Sequence, residues 1–387
     1  MNDFTADQIV ARAVAQTALD DFGGNEFREG LDRAIDALAR TPLTPSGRAR
    51  QANRLVADLA NRLRIEDWCK SHPEVEAQKV QGPLLVCGLP RTGTTATVAM
   101  LALDPRFRFL RRWEGASPIP PPVAGQEDRD PRVVAAREAA RNYGQSAMHL
   151  FDPDGPEEDL LMLAGLNMRQ SYQPLPTPDD YHEWWINDDF GSTYAYMDRV
   201  FRLLQSQRPP HQWLLKSPGH IFKLEAFAAQ YPNARFVMTH RDPVKVVASM
   251  ASVYQALLDG DWVGDDAQEG DCIRGAVDKA WTGRRAMTYW SEGVRRGMAA
   301  RAKIGEHRFI DVYNNDVAKD PIGTFEKMYD ELALELDPGL RKRLEDYHRQ
   351  NARGSHGEHA YTPEEYGLSD AAVRVEFKDY IDRFGFG

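Results

Sequence analysis

Several short groups of residues in this chain have the types and spacing to handle small anions. The first is Gly88-Leu-Pro-Arg-Thr-Gly-Thr-Thr95. An apolar run at 83–87 leads into it, and a helical segment at 96–103 leaves it. Strand, glycine-bounded loop and helix make a phosphate-binding layout, because free amides and the helix N-terminus attract an anion. Amides of Arg91, Thr92, Gly93, Thr94 and Thr95, with the hydroxyls of Thr94 and Thr95, can hold a terminal phosphate. Arg91 adds a fixed positive charge inside the loop. The spacing Gly88-x-x-x-x-Gly93 is that of a Walker A loop, but Thr94 stands where nucleotide hydrolysis needs Lys. No apolar strand ends in a plain Asp for magnesium. The competing reading, an ordinary tight turn, does not account for the strand before the loop and the helix after it.

Arg241 and Ser249 form a second group. Arg241 leaves a predicted strand at 234–239, and Asp242-Pro243 starts a helix, Asp as N-cap and Pro at the first helical position. Ser249 lies two helical turns past Asp242, on the same face. Arginine's planar fork plus that hydroxyl can clamp a second phosphate. Lys216 ends a third strand, 212–216, directly after Trp213-Leu214-Leu215 and before Ser217-Pro218. In that setting it is expected to serve a site rather than to face solvent. A base must also accept a proton, and two candidates stand out. His220 opens the helix after Lys216, and its ordinary pKa needs little tuning. Glu114 follows the short strand at 107–110, with pairing to Arg111 or Arg112 as its alternative role.

These groups sit just after predicted strands. Helices are expected at 131–150, 157–167, 190–207, 221–230, 243–258, 273–303, 321–335 and 338–351, with a last strand at 307–312. Strands alternating with helices imply an α/β fold with a mostly parallel sheet and helices on both faces. Ligands bind such sheets at the carboxyl ends of strands. Residues 1–80 read as a helical extension of two or three amphipathic helices packed on the main domain, 81–387, with a homo-oligomer interface as the alternative. The stretch 171–185 is rich in aromatics and proline, a poor helix or strand; it lines an apolar pocket or caps the core. An acidic loop at 259–271 carries Trp262, a candidate lid residue, and the tail after 351 reads as loop-rich.

Composition bounds the partners. The chain has 387 residues, 42% hydrophobic and 27% charged, with a formal charge of −10. That balance fits a globular protein with a full core and argues against nonspecific nucleic-acid binding. No apolar run is long enough to cross a bilayer, and the first residues lack a secretory pattern. The three cysteines, Cys69, Cys87 and Cys272, build neither a disulfide framework nor a zinc site, which fits a reducing cytoplasm. His149, His182 and His211 show no metal spacing, and His356 with His359 is weak evidence for a metal.

Leu89-Pro-Arg-Thr-Gly-Thr-Thr95 resembles the 5′-phosphosulfate loop of the sulfotransferases that use 3′-phosphoadenosine-5′-phosphosulfate (PAPS). His240-Arg-Asp-Pro through Ser249 resembles their 3′-phosphate site, and Leu215-Lys-Ser-Pro-Gly-His220 their strand-end Lys segment. Arg91 stands where cytosolic members carry Lys, as in the tyrosylprotein and many bacterial enzymes. Arg353-Gly354 within 353–357 is similar to the glycine-rich 3′-phosphate segment, without its usual companions, and 359–367 is similar to the tail of the bacterial subgroup. The resemblance implies a P-loop-like three-layer fold, PAPS as donor without a metal, and a small aromatic or lipid-like alcohol as acceptor, with an amine as the lesser alternative. It also implies a base at His220 or at Glu114, the latter as in the tyrosylprotein enzymes. A nucleotide kinase with an altered loop and a nucleotide-binding protein without turnover are the rival readings. Thr94 counts against the first. Arg91, Lys216 and the base candidates together count against the second.

Overall fold

The computed structural model describes residues 4–143, 152–209, 211–259, 277–351 and 362–387. Arg353, Gly354, Trp262, Cys272, His149, His356 and His359 lie outside them.

Strands β1 (Leu84–Gly88), β2 (Phe107–Phe109), β3 (Gln212–Lys216), β4 (Arg235–His240) and β5 (Phe309–Tyr313) form one sheet in the order β2-β3-β1-β4-β5. Every pairing is parallel. The near-continuous apolar strands explain why, since strands covered on both faces need apolar residues at successive positions. Successive side chains go to opposite faces. Leu84, Val86, Leu214, Val237, Ile310 and Val312 pack with residues of the Thr94–Leu101, Pro321–Leu332 and Pro338–Gln350 helices. Leu85, Cys87, Trp213, Leu215, Phe236 and Met238 pack on the other side, with the Gly191–Gln205, Leu224–Gln230, Pro243–Asp259 and Lys279–Ile304 helices. The result is a three-layer α/β fold. β1 lies between β3 and β4, so the chain runs out on one side of it and then crosses to the other. The crevice at the carboxyl end of β1 is therefore the place for a ligand.

The N-terminal residues form three helices, Ala6–Thr17, Glu26–Arg40 and Pro45–Ser71. Thr5 and Gln8 close a capping box on the first, and Thr44 caps the third ahead of Pro45. Ile9, Leu31, Leu38, Leu55, Leu59 and Leu63 share a core with Met168, Tyr172, Leu175, Tyr181 and Leu258, so this layer packs on the later chain.

Two stretches differ from expectation. Residues 171–185 contain most of a helix, Asp179–Asn187, whose acidic first turn complements the helix dipole after Pro178. Its aromatics are core: Tyr172, Tyr181 and Trp185 are buried. Residues 362–387 are also more helical than a loop. Ser369 caps a helix at Asp370–Glu376, and a second, Lys378–Phe384, follows. Among the described residues no helix is long and apolar enough to cross a membrane.

Candidate functional site

β1 ends in Gly88, at φ 130°, where a Cβ would lie 2.5 Å from the Thr239 carbonyl oxygen of β4. Only glycine lets the two strand ends come this close. The loop then holds Arg91 at φ 61° and Gly93 at φ 98°. A left-handed arginine is strained by about 1 kcal/mol, and such strain collects at functional turns. Buried side chains keep it there. Thr92 Oγ1 donates to the Leu89 carbonyl at 2.6 Å and shares a 2.6 Å hydrogen bond with Thr239 Oγ1. Asn314 Nδ2 donates to the Thr92 carbonyl at 3.3 Å. Thr92 is thus spent on shaping the loop through its side chain, while Thr94 and Thr95 open the helix. Thr94 is buried and Thr95 exposed.

The loop and the Arg241-Ser249 pair meet. Arg91 Nε donates to Ser249 Oγ at 3.1 Å, and Arg241 Nη1 donates to the Arg91 carbonyl at 2.9 Å. The Asp242 carboxylate accepts from the Val244 amide at 3.1 Å and so caps the helix that carries Ser249. The end of β4 is fixed by His240, whose ring nitrogens lie 3.0 Å from Tyr380 Oη and 2.8 Å from Asp311 Oδ1. Burial lowers the His240 pKa even against the pull of Asp311. Burial also pushes the Asp311 pKa up, but hydrogen bonds from His240 and Arg301 prevail and hold it below the usual carboxylate range. Beside Arg241 a cavity of about 330 Å³ is lined by Tyr313, Lys319, Phe384 and Phe386. Sequence reasoning missed these aromatics, which arrive from the end of β5 and from the tail.

Lys216 is 1% exposed at the end of β3. Its Nζ lies 3.5 Å from Thr95 Oγ1 and 3.1 Å from Glu158 Oε1. Arg91, Thr95, Lys216, Arg241 and Ser249 therefore converge at adjoining strand ends, as their spacing predicts.

The two base candidates do not join them as free groups. His220 is fully buried, with Nδ1 2.8 Å from Tyr194 Oη and Nε2 2.8 Å from Asp159 Oδ2. Both ring nitrogens are spent on internal partners. Glu114 lies in a short helix, Arg112–Ala116, and is fully buried as well. It accepts from Arg108 Nη2 at 3.0 Å and from the Arg111 amide at 2.9 Å. The expected pairing with Arg111 is present, its Nη1 3.5 Å from Glu114 Oε1, but the closer ion-pair partner is Arg108 on β2, and Arg112 pairs with Glu157 instead. Burial lowers the Arg108 pKa to about 10 despite that carboxylate. Glu158, absent from the expected set, is the acidic residue on Lys216.

The fold is thus a parallel α/β sheet whose central strand ends in a glycine-bounded loop, with an arginine-hydroxyl pair beside it. Residues 83–338 match the model of the sulfotransferase family. The chain belongs to that family. It is similar to sulfotransferase STF9 from Mycobacterium avium, with 30% identity, 99% of this chain and 97% of that one covered, and a TM-score of 0.87. Sulfotransferase STF1 from Mycobacterium tuberculosis H37Rv is 28% identical over 97% of this chain and 99% of its own, with a TM-score of 0.81. Omega-hydroxy-beta-dihydromenaquinone-9 sulfotransferase Stf3 from Mycobacterium bovis is 22% identical over 79% of this chain and 75% of its own length.

Proposed function

We propose that this sulfotransferase moves the sulfuryl group of PAPS to the hydroxyl of a small, partly apolar acceptor, with an amine as the lesser alternative. The observation that carries the reading is the junction of Arg91, Ser249 and Arg241. One hydroxyl and two guanidiniums from two strand ends suit a donor with two separate anionic groups. In this reading the loop amides of 91–95 and Arg91 hold the 5′-phosphosulfate, and Arg241 with Ser249 holds the 3′-phosphate. Arg353 and Gly354 are proposed to complete the 3′ site. The adenine occupies the aromatic cavity beside Arg241, since flat rings favour stacking. Lys216 stabilises charge on the leaving phosphate, and no metal is needed for that task. His220 and Glu114 are the candidates for the base by type and place; their burial favours support roles. Residues 1–80 act as a helical extension of the catalytic domain. A relative named for a hydroxylated dihydromenaquinone supports a lipid-like alcohol as the acceptor. A cytoplasmic enzyme fits the free, buried thiols of Cys69 and Cys87.

Calorimetry with 3′-phosphoadenosine-5′-phosphate (PAP) in chelator is the test. Binding is expected without magnesium, and no binding at millimolar ligand ends the proposal. Arg241→Ala should weaken PAP by about 10–100-fold, the worth of a charge-assisted hydrogen-bonded pair. It should weaken adenosine 5′-phosphate far less. Equal losses would remove Arg241 from the 3′-phosphate.

A further inference from the structure

We propose that Glu158 is the general base of this enzyme, with Asp159, His220 and Tyr194 as the chain that positions it; this rests on the PAPS reading above. A base in this site has to meet three demands. It must stand beside the transferring group, keep a face open to the acceptor, and have proton-accepting capacity to spare. Glu158 meets all three. Its Oε1 lies 3.1 Å from Lys216 Nζ, and that ammonium lies 3.5 Å from Thr95 Oγ1 of the anion loop. Its Oε2 accepts from Ser217 Oγ at 3.3 Å. The side chain keeps 23% of its surface exposed, whereas Asp159, His220 and Glu114 keep none. A carboxylate has about four acceptor sites, and these two contacts leave others open.

The neighbouring residue explains how Glu158 is held. Asp159 Oδ1 accepts from the Lys216 amide at 2.8 Å, and Oδ2 lies 2.8 Å from His220 Nε2. His220 in turn meets Tyr194 Oη at 2.8 Å through Nδ1. One carboxylate of the Glu158-Asp159 pair thus pins the backbone at the end of β3, and the next reaches the Lys216 ammonium beside it. A buried hydrogen-bonded chain of this kind fixes geometry. It leaves His220 no nitrogen for an acceptor.

The step balances as follows. The acceptor hydroxyl gives its proton to a Glu158 oxygen as the acceptor oxygen forms a bond to sulfur. The bond from sulfur to the bridging oxygen of the donor breaks, and PAP leaves with that electron pair. Lys216, which pairs with Glu158 in the free enzyme, is close enough to the loop to turn toward the leaving phosphate. That turn frees the carboxylate to accept. Water later takes the proton from Glu158.

The test uses water as the acceptor, so that no substrate need be identified. The full-length enzyme, in excess over sulfur-labelled PAPS, is followed for sulfate release in a single turnover. Glu158→Gln keeps the shape and the Ser217 contact and removes the basic oxygen. It is expected to slow release by 10²-fold or more, within the range of general-base contributions, with the PAP dissociation constant within about threefold of wild type. His220→Asn and Glu114→Gln should each lose less. A Glu158→Gln rate within threefold of wild type, or a larger loss in either other variant, overturns the assignment. So does a wild type that binds PAP yet releases no sulfate above the buffer rate. Failure of the wild type to bind PAP is a different result and defeats the donor reading itself.

Discussion

Lys216→Ala is expected to lower the single-turnover rate of sulfuryl transfer by about 10²–10³-fold, the usual loss when one preorganised charge at a developing anion is removed. The same variant should bind PAP within about tenfold of wild type. The two effects separate because charge grows on the leaving phosphate only as the bond to sulfur breaks, so the ammonium matters most in the transition state. Lys216 is buried and its backbone is tied to Asp159, which fixes the direction from which the charge comes. Folding should change little. The partner left behind, Glu158, is partly exposed and keeps its contact with Ser217. Lys216→Arg should restore only part of the rate, because a planar fork cannot take the position of a compact ammonium at the end of β3. A Lys216→Ala rate within threefold of wild type would remove this residue from the chemistry.

The parts of the site that could be read in the sequence are local. Gly88, Arg91 and Gly93 lie within one loop and Thr95 opens the helix after it, so their nearness follows from spacing and from the strand before them. Arg241 and Ser249 are joined by a single capped helix, so their common face follows from helical geometry. The parallel sheet was legible for a similar reason: each strand is a short apolar run bounded by turns. What could not be read depends on burial and on distant partners. Glu158 reaches Lys216 across 58 residues of sequence, and in the run Glu157-Glu158-Asp159 nothing distinguishes the residue that touches the site from the one that pairs with Arg112. His220 resembles a base by type and place, and only its contacts to Asp159 and Tyr194 reveal both nitrogens as engaged. Tyr172, Tyr181 and Trp185 could equally line a pocket or fill a core, and packing against the N-terminal helices and the sheet decides for the core. Phe384 and Phe386 flank the cavity beside Arg241 because the tail folds back as helices, a tertiary event that overrides its polar, loop-like composition.

Glu114→Ala should act chiefly on stability. Its carboxylate is the counter-charge for Arg108, whose guanidinium also donates to the Leu204 carbonyl at 3.0 Å and lies 4.2 Å over the Trp213 ring. Both side chains are almost wholly buried, 4% and 0% exposed. Removing one member of such a pair strands the other charge, at a cost of about 3–5 kcal/mol. With an unfolding entropy of about 2 cal/mol/K per residue over the whole chain, that corresponds to a drop in Tm of about 5 °C. Arg108→Met combined with Glu114→Leu should recover part of the loss, because the double change removes the buried pair and refills the volume, while the Arg111 amide and guanidinium still lose the carboxylate. The single-turnover rate per folded molecule is the second readout, and it should fall far less for Glu114→Ala than for Lys216→Ala. An unchanged Tm together with a 10²-fold slower transfer would reverse the assignment and return Glu114 to the role of base. The double variant sharpens the distinction: a structural carboxylate can be replaced by an apolar side chain once its arginine is gone, and a proton acceptor cannot.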